Sequence, residues 1–423
     1  MTIGQSFGRA FKTDDLRRRI LYTLGMFLVF RIGAHVPVPG VNPNALSQLF
    51  ANGGGFFGLL NIFAGGALQL FAVFAMGIMP YINASIIMQL LTLVIPQVEQ
   101  WSKEGMEGQK KITQWTRYGT VLLSLIQGTG LAFYVQDNGG FLHPGILTLV
   151  EVILVLTAGS VLLMWVGEAV TEYGIGNGIS LLIFAGIVSR LPAGVQELYS
   201  YLNAGTISVF NLAVMVILGL AVIAAIVFVT EGARRVPVQY AKRVVGRRMY
   251  GGQSTHIPIK VNQAGVIPVI FAASLMAVPL TLANFVHAGF LQTITGFLQV
   301  SSVWYELIFA GLVIAFTFFY TAITFNPNDV ADNIRKYGGF IPGYRPGRPT
   351  AQFLERVLIR LTVVGSIFLA AVVVLPVVFA GATNIPNIYF GGTSLLIVVG
   401  VALETMKQIQ AHMLMRHYQG FMR

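Results

Sequence analysis

The chain has 423 residues, 55% of them apolar and 10% charged, against roughly 25% charged in soluble proteins. That balance excludes independently soluble domains and specifies a polytopic membrane protein with one membrane domain. There is no cysteine, which rules out disulfides, iron–sulfur clusters and thiol catalysis.

In chain order, Arg17-Arg18-Arg19 precede the apolar stretch Ile20 to Phe30, as in a signal peptide. Arg31 and Pro37-Val38-Pro39 then follow where a cleavable signal carries small residues, so an uncleaved first span is predicted. No Asp, Glu, Lys or Arg occurs from Ile32 to Val98. Within that run, Pro37 to Gly55 reads as a loop and Phe56 to Phe63 as a short helix. Gly65-Gly66 is a break, and a full span begins near Leu70. A short helix between glycine hinges, ahead of a complete span, has the form of a re-entrant segment. Non-helical backbone at membrane depth survives only inside protein or beside water, so the segment predicts an enclosed cavity or pore.

Ten spans are predicted, over 20–36, 70–95, 118–135, 146–166, 179–189, 210–229, 261–286, 303–325, 359–380 and 393–411, the fifth extending toward Val195. With the N-terminus in the cytoplasm, all but Arg31 and Arg190 of the 27 Lys and Arg fall on the cytoplasmic side. The positive-inside rule therefore places both termini there. Ten spans divide into two inverted five-span halves, 1–195 and 196–423, with functional sites between them and a hinge in the outer loop from Pro192 to Thr206. Two cytoplasmic loops, 231–260 and 326–357, are long and basic.

Enzyme signatures are scarce. The histidines (His35, His143, His256, His287, His412 and His417) show no metal-ligand spacing, so neither metal nor cofactor is expected. Gly174-Ile175-Gly176-Asn177-Gly178 has no strand before it and reads as a tight turn, not a phosphate loop. Glu151, Glu168, Glu172 and Glu404 lie near span ends, as interfacial carboxylates.

Four stretches carry a resemblance. They are Phe63 to Leu68 with Gly77 to Ile87; Glu172 to Ser180; Gln253 to Pro258 with Val261 to Pro268; and Tyr389 to Ile397. In this order they resemble the SecY family, channel subunits of the bacterial Sec preprotein translocase, over essentially the whole length. The resemblance implies an all-α fold of ten transmembrane helices around a central pore, passing secretory polypeptides and releasing membrane segments sideways. It implies an aliphatic pore ring of Ile78, Ile82, Ile183, Ile270 and Ile397. Ile78 and Ile82, four apart, share one helix face. It implies a plug at about 54–66, comprising Phe56, Phe57, Leu59, Leu60, Asn61, Ile62 and Phe63. It implies a lateral gate between spans 2 and 3 and spans 7 and 8, with Gln89, Gln127 and Asn262 as gate residues. The basic loops, with Arg234, Arg235, Lys242, Arg243, Arg247, Arg248, Arg345 and Arg348, would dock the SecA motor and the ribosome. Further implied partners are the small membrane subunits SecE and SecG, signal sequences, unfolded preproteins and anionic lipid. The implied location is the bacterial cytoplasmic (inner) membrane, and no catalysis is implied. The alternative is a secondary transporter for a small solute, which needs polar or charged groups at mid-membrane.

Overall fold

The computed structural model describes residues 14–42, 61, 63–205, 207–240, 243–245, 248–250, 254–285, 302–383 and 392–420. Its membrane part is helical. The first helix, α1 (Asp14–Gly33), carries Asp14 and Asp15 at its positive N-terminal end and Arg31 in its last turn, both favourable to the helix dipole. The chain then forms turns from Ala64 to Ile78, and α2 (Met79–Val94) begins well after the position expected from hydropathy. The physical reason is local. Gly77 has φ +59° and Phe71 φ +43°, left-handed values that interrupt a helix, while Pro80 lies in the first turn of α2, where its missing N–H is tolerated. The turn segment is deeply packed: Ala64, Ala67, Leu68, Phe71, Ala72, Phe74 and Ala75 are all buried. It is non-helical backbone enclosed by protein. Short pairings, Val38 N to Phe71 O at 3.0 Å and Val73 N to Val36 O at 2.9 Å, tie it to the chain leaving α1.

At Ile95 the backbone is extended ahead of Pro96, and α3 (Pro96–Lys103) turns away from α2 by 101°, since a residue before proline avoids the helical region. There follow α4 (Met106–Asp137), α5 (Ile146–Tyr173), α6 (Gly178–Ser189), α7 (Leu191–Asn203) and α8 (Val209–Glu231). The outer segment from Pro192, expected as a loop, is largely the helix α7; Pro192 sits in its first turn, where proline is accepted. The glycine-rich stretch before α6 is a turn, and the side chain of Asn177 caps that helix by accepting from the Ile179 and Ser180 N–H groups, both at 3.1 Å.

The loop after α8 folds into strands: β1 (Ala233–Tyr240), β2 (Arg243–Val245), β3 (Arg248–Tyr250) and β4 (Ser254–Lys260). Then come α9 (Ile267–Phe285), α10 (Val303–Thr324), α11 (Pro327–Lys336), β5 (Gly339–Phe340), α12 (Arg348–Thr383) and α13 (Gly392–Gly420). A three-stranded antiparallel sheet, β4-β1-β5, joins the two long loops, with Val236 opposite Ile257 and Gln239 opposite Phe340. Strand alternation turns Val236 and Val238 into a separate small core with Ile259, Ile334, Ile341 and Leu354. At 36 residues, α12 is about 54 Å long, well beyond a ~30 Å hydrocarbon core, and its first turns supply Leu354, Val357 and Leu358 to that loop core.

Among the described residues, seven helices are long and apolar enough to cross a membrane, or eight counting the bent α2–α3 pair. The helices α1 and α9 lie at the expected first and seventh spans but outside that count: α1 holds six charged residues, and α9 contributes a shorter apolar stretch, Ile267–Ala277.

Candidate pore and docking surfaces

Each of the five ring isoleucines is at most 5% exposed. Ile78 caps the N-terminus of α2 and does not lie within it; its carbonyl accepts from Ile82 N at 3.1 Å, so the two are one turn apart on the same face. Ile183 is on α6, Ile270 on α9 and Ile397 on α13, and all five join one buried apolar cluster. The helices that carry them form a closed circuit. α2 packs on α9, α9 on α13 and α13 on α6, and α5 connects α6 back to α2. Gly167 of α5 stands against Ile78, within 3.6 Å of a Cβ built there. Such a lining offers no hydrogen bond and no charge. It can exclude water and part around a chain, but it cannot hold a polar solute. Among the described residues no three His, Cys, Asp or Glu gather where they could hold a metal.

Of the plug residues, Phe56, Phe57, Leu59, Leu60 and Ile62 lie outside the described residues. Asn61 and Phe63 are buried. The Asn61 side chain accepts from Gln69 N at 3.0 Å, and its carbonyl accepts from Gly66 N at 2.8 Å, closing the turn.

At the expected gate, α9 packs on both α2 and α4, and on α10 behind them. Of the gate amides, Gln89 is half-buried and donates to Ser85 Oγ on its own helix at 3.3 Å. Asn262 is buried; its Nδ2 donates to Gly265 O at 3.0 Å, and its Oδ1 has no partner. Gln127 is half-buried on α4. The direct bond across this seam is instead Ser274 Oγ to Met79 Sδ, at 3.5 Å. Phe271 closes the α9–α10 side edge-on to Phe316, with ring centres 5.9 Å apart.

Of the docking residues, Arg234 and Arg235 are exposed on β1, and Arg345 and Arg348 are exposed after β5. Arg243 and Arg248 lie on β2 and β3, opposite Tyr250 and Val245; Lys242 and Arg247 fall outside the described residues. Arg335, Phe340, Tyr344 and Arg345 line an open cleft of about 580 Å³. Tyr344 stacks on Phe353 at 4.2 Å between centroids, and Arg345 O accepts from Thr350 Oγ1 at 2.8 Å. This mounts a basic, aromatic edge on the small loop core.

Three polar features were not read from the sequence. Glu168, expected as a solvated carboxylate, takes a two-pronged bond from Arg117, with Nη2 at 2.8 Å and Nε at 3.1 Å, joining α4 to α5. Glu306, in the first turn of α10, is 8% exposed and its Oε2 has no partner. A charge one turn inside an apolar helix was its signal. Arg31 reaches out of α1 to the turn segment.

The family model described as SecY matches residues 72–406. The chain is 46% identical over 447 residues to protein translocase subunit SecY of Mycobacterium tuberculosis, covering 99% of each. It is 48% identical over 434 residues to the same subunit of Halalkalibacterium halodurans, covering 99% of this chain and all of that one. Among solved structures, a protein-conducting channel aligns with TM-score 0.64 and 20% identity over 93% of this chain and 92% of the other. Sec61 of a canine ribosome–channel complex aligns with TM-score 0.60 and 21% identity over the same shares.

Proposed function

The chain belongs to the SecY family and is a protein-conducting channel subunit of the membrane, and we propose that Ile78, Ile82, Ile183, Ile270 and Ile397 form its seal. The observation that carries this reading is the circuit of α2, α9, α13, α6 and α5 around five buried isoleucines. An aliphatic waist closes by excluding water and yields to an extended polypeptide without leaving polar groups unpaired. A small-solute transporter needs polar groups at that depth, and the waist offers isoleucine instead.

The remaining assignments belong to the same proposal. Ten spans form two inverted halves, 1–195 and 196–423, with both termini in the cytoplasm of a bacterium and the channel in its inner membrane. The segment at about 54–66 is the plug of the idle channel. The seam of α2 and α4 against α9 and α10 is the lateral gate. Its weak, largely apolar closure suits displacement by the short apolar helix of a signal sequence. The exposed arginines of the two loops meet ribosomal RNA, SecA and anionic lipid, and SecE and SecG brace the halves. The chain has no catalytic cycle of its own, so driving energy comes from the docked partner.

The seal is tested by Ile82→Ser. In planar bilayers the idle variant passes ions that the unsubstituted channel blocks, because a hydroxyl wets the waist. Unchanged conductance removes Ile82 from the seal. In liposomes, SecA-driven uptake of an unfolded preprotein without uptake of small solutes separates the channel from a transporter.

A further inference from the structure

We infer that Arg31 is a positioning residue of the idle channel, a clasp that fastens the base of the re-entrant segment to the first and fifth spans. The inference rests on reading that segment as the plug.

The geometry is specific. Arg31 lies in the last turn of α1, and with Arg190 it is one of the two basic residues that charge sorting leaves on the outer side. Its Nη1 donates to Gly65 O at 3.0 Å and to Ser189 Oγ at 3.3 Å. Ser189 Oγ in turn donates to Gly186 O at 2.8 Å. One guanidinium thus joins the end of α1, the end of α6 and the glycine break at Gly65-Gly66.

Beneath this bond the backbones nearly touch. Gly65 has φ +65°, and a Cβ there would stand 3.1 Å from Gly186 Cα and 3.1 Å from the Phe30 ring. A Cβ on Gly186 would stand 3.2 Å from Phe63 O. The segment base therefore seats in a slot cut to glycine. The slot supplies shape, but its walls are apolar and offer no directional hold. Arg31 supplies direction, because one guanidinium nitrogen carries two N–H groups and Nη1 here faces both a carbonyl and a hydroxyl. The other end of the turn segment is held by Val36 and Val38 pairing with Phe71 and Val73. Release at Gly65 therefore loosens the turn around Asn61 and Gly66 while the side toward α2 stays fixed. Arg31 sets which end moves.

The test compares Arg31→Gln, Arg31→Lys and a deletion of residues 54–61, each purified as the full translocase complex. Arg31→Gln is expected to raise idle conductance in planar bilayers about tenfold, the change produced by losing roughly one charged hydrogen bond. It is also expected to speed hydrogen–deuterium exchange in peptides covering 61–70. Arg31→Lys should recover part of both. A leaking deletion beside a tight Arg31→Gln overturns the clasp and leaves the plug standing. Tight channels in both overturn the plug reading itself. Should Arg31→Gln fail to accumulate, Ser189→Ala removes one acceptor without disturbing α1; unchanged conductance and exchange in that variant overturn the clasp.

Discussion

Gly159 shows how tightly single residues are constrained where the irregular segment crosses a span. A Cβ on this α5 glycine would collide with the Val73 carbonyl, a backbone group that cannot rotate aside. Gly159→Ala should therefore lower stability by about 1–3 kcal/mol, the usual cost of overpacking, read as a lower melting temperature in detergent. Gly219, on the sparsely packed α8, meets nothing within 4 Å, so Gly219→Ala serves as the matched control and should melt no lower than the unsubstituted protein. At this scale the sequence was partly legible. The isoleucines of the waist look like any core residue by composition, and only the surrounding motifs single them out. Arg31 and Glu168 were read as ordinary end-of-span charges, and Glu306 was not singled out. Their partners lie 34 and 51 residues away for Arg31 and Glu168, and hydropathy carries no information about such pairings.

Seams between helices decide how the molecule opens. The contact of Met79 with Ser274 bridges α2 and α9 across the proposed gate. Because the chain has no cysteine, a Met79→Cys, Ser274→Cys pair introduces the sole thiols. Bridging them with a short bifunctional thiol reagent should block release of membrane segments into lipid, and a cleavable bridge should restore it on reduction. Release that continues through the bridged form removes this seam as the exit. Helix positions were legible because long apolar runs have few alternatives in lipid. The start of α2 was not, because Phe71 and Gly77 adopt left-handed backbone inside an apolar run that reads as continuous helix. The loop strands were missed for a different reason. Val236 and Val238 on β1, and Ile257 and Ile259 on β4, do alternate, but each strand is short and β1 finds β4 only after the intervening strands β2 and β3.

For the whole molecule, the described parts of the two long basic loops meet in one sheet and share a small core of their own. Replacing Arg234 and Arg235 by Glu should weaken ribosome binding and flatten its salt dependence, since each lost phosphate contact removes close to one unit from the log–log slope. Sedimentation with ribosomes across a salt series measures this, and an unchanged slope rules out contact by this pair. The helix α1 also meets the turn before α6 and, through one small cluster, α13. Arg19 donates to Gly174 O at 3.2 Å, and Thr23 Oγ1 accepts from Ile175 N at 3.2 Å. Leu16, Ile175 and Ile409 form one small cluster. The helix α1 thus leans on a residue of α13 that is translated long after it. At about 5–20 residues per second, Leu16 waits on the order of half a minute for Ile409. A nascent copy that has not reached Ile409 keeps that patch uncovered, and a copy that has passed it hides it. Whether synthesis has passed Ile409 is thereby written into the exposure of Leu16 and Ile175.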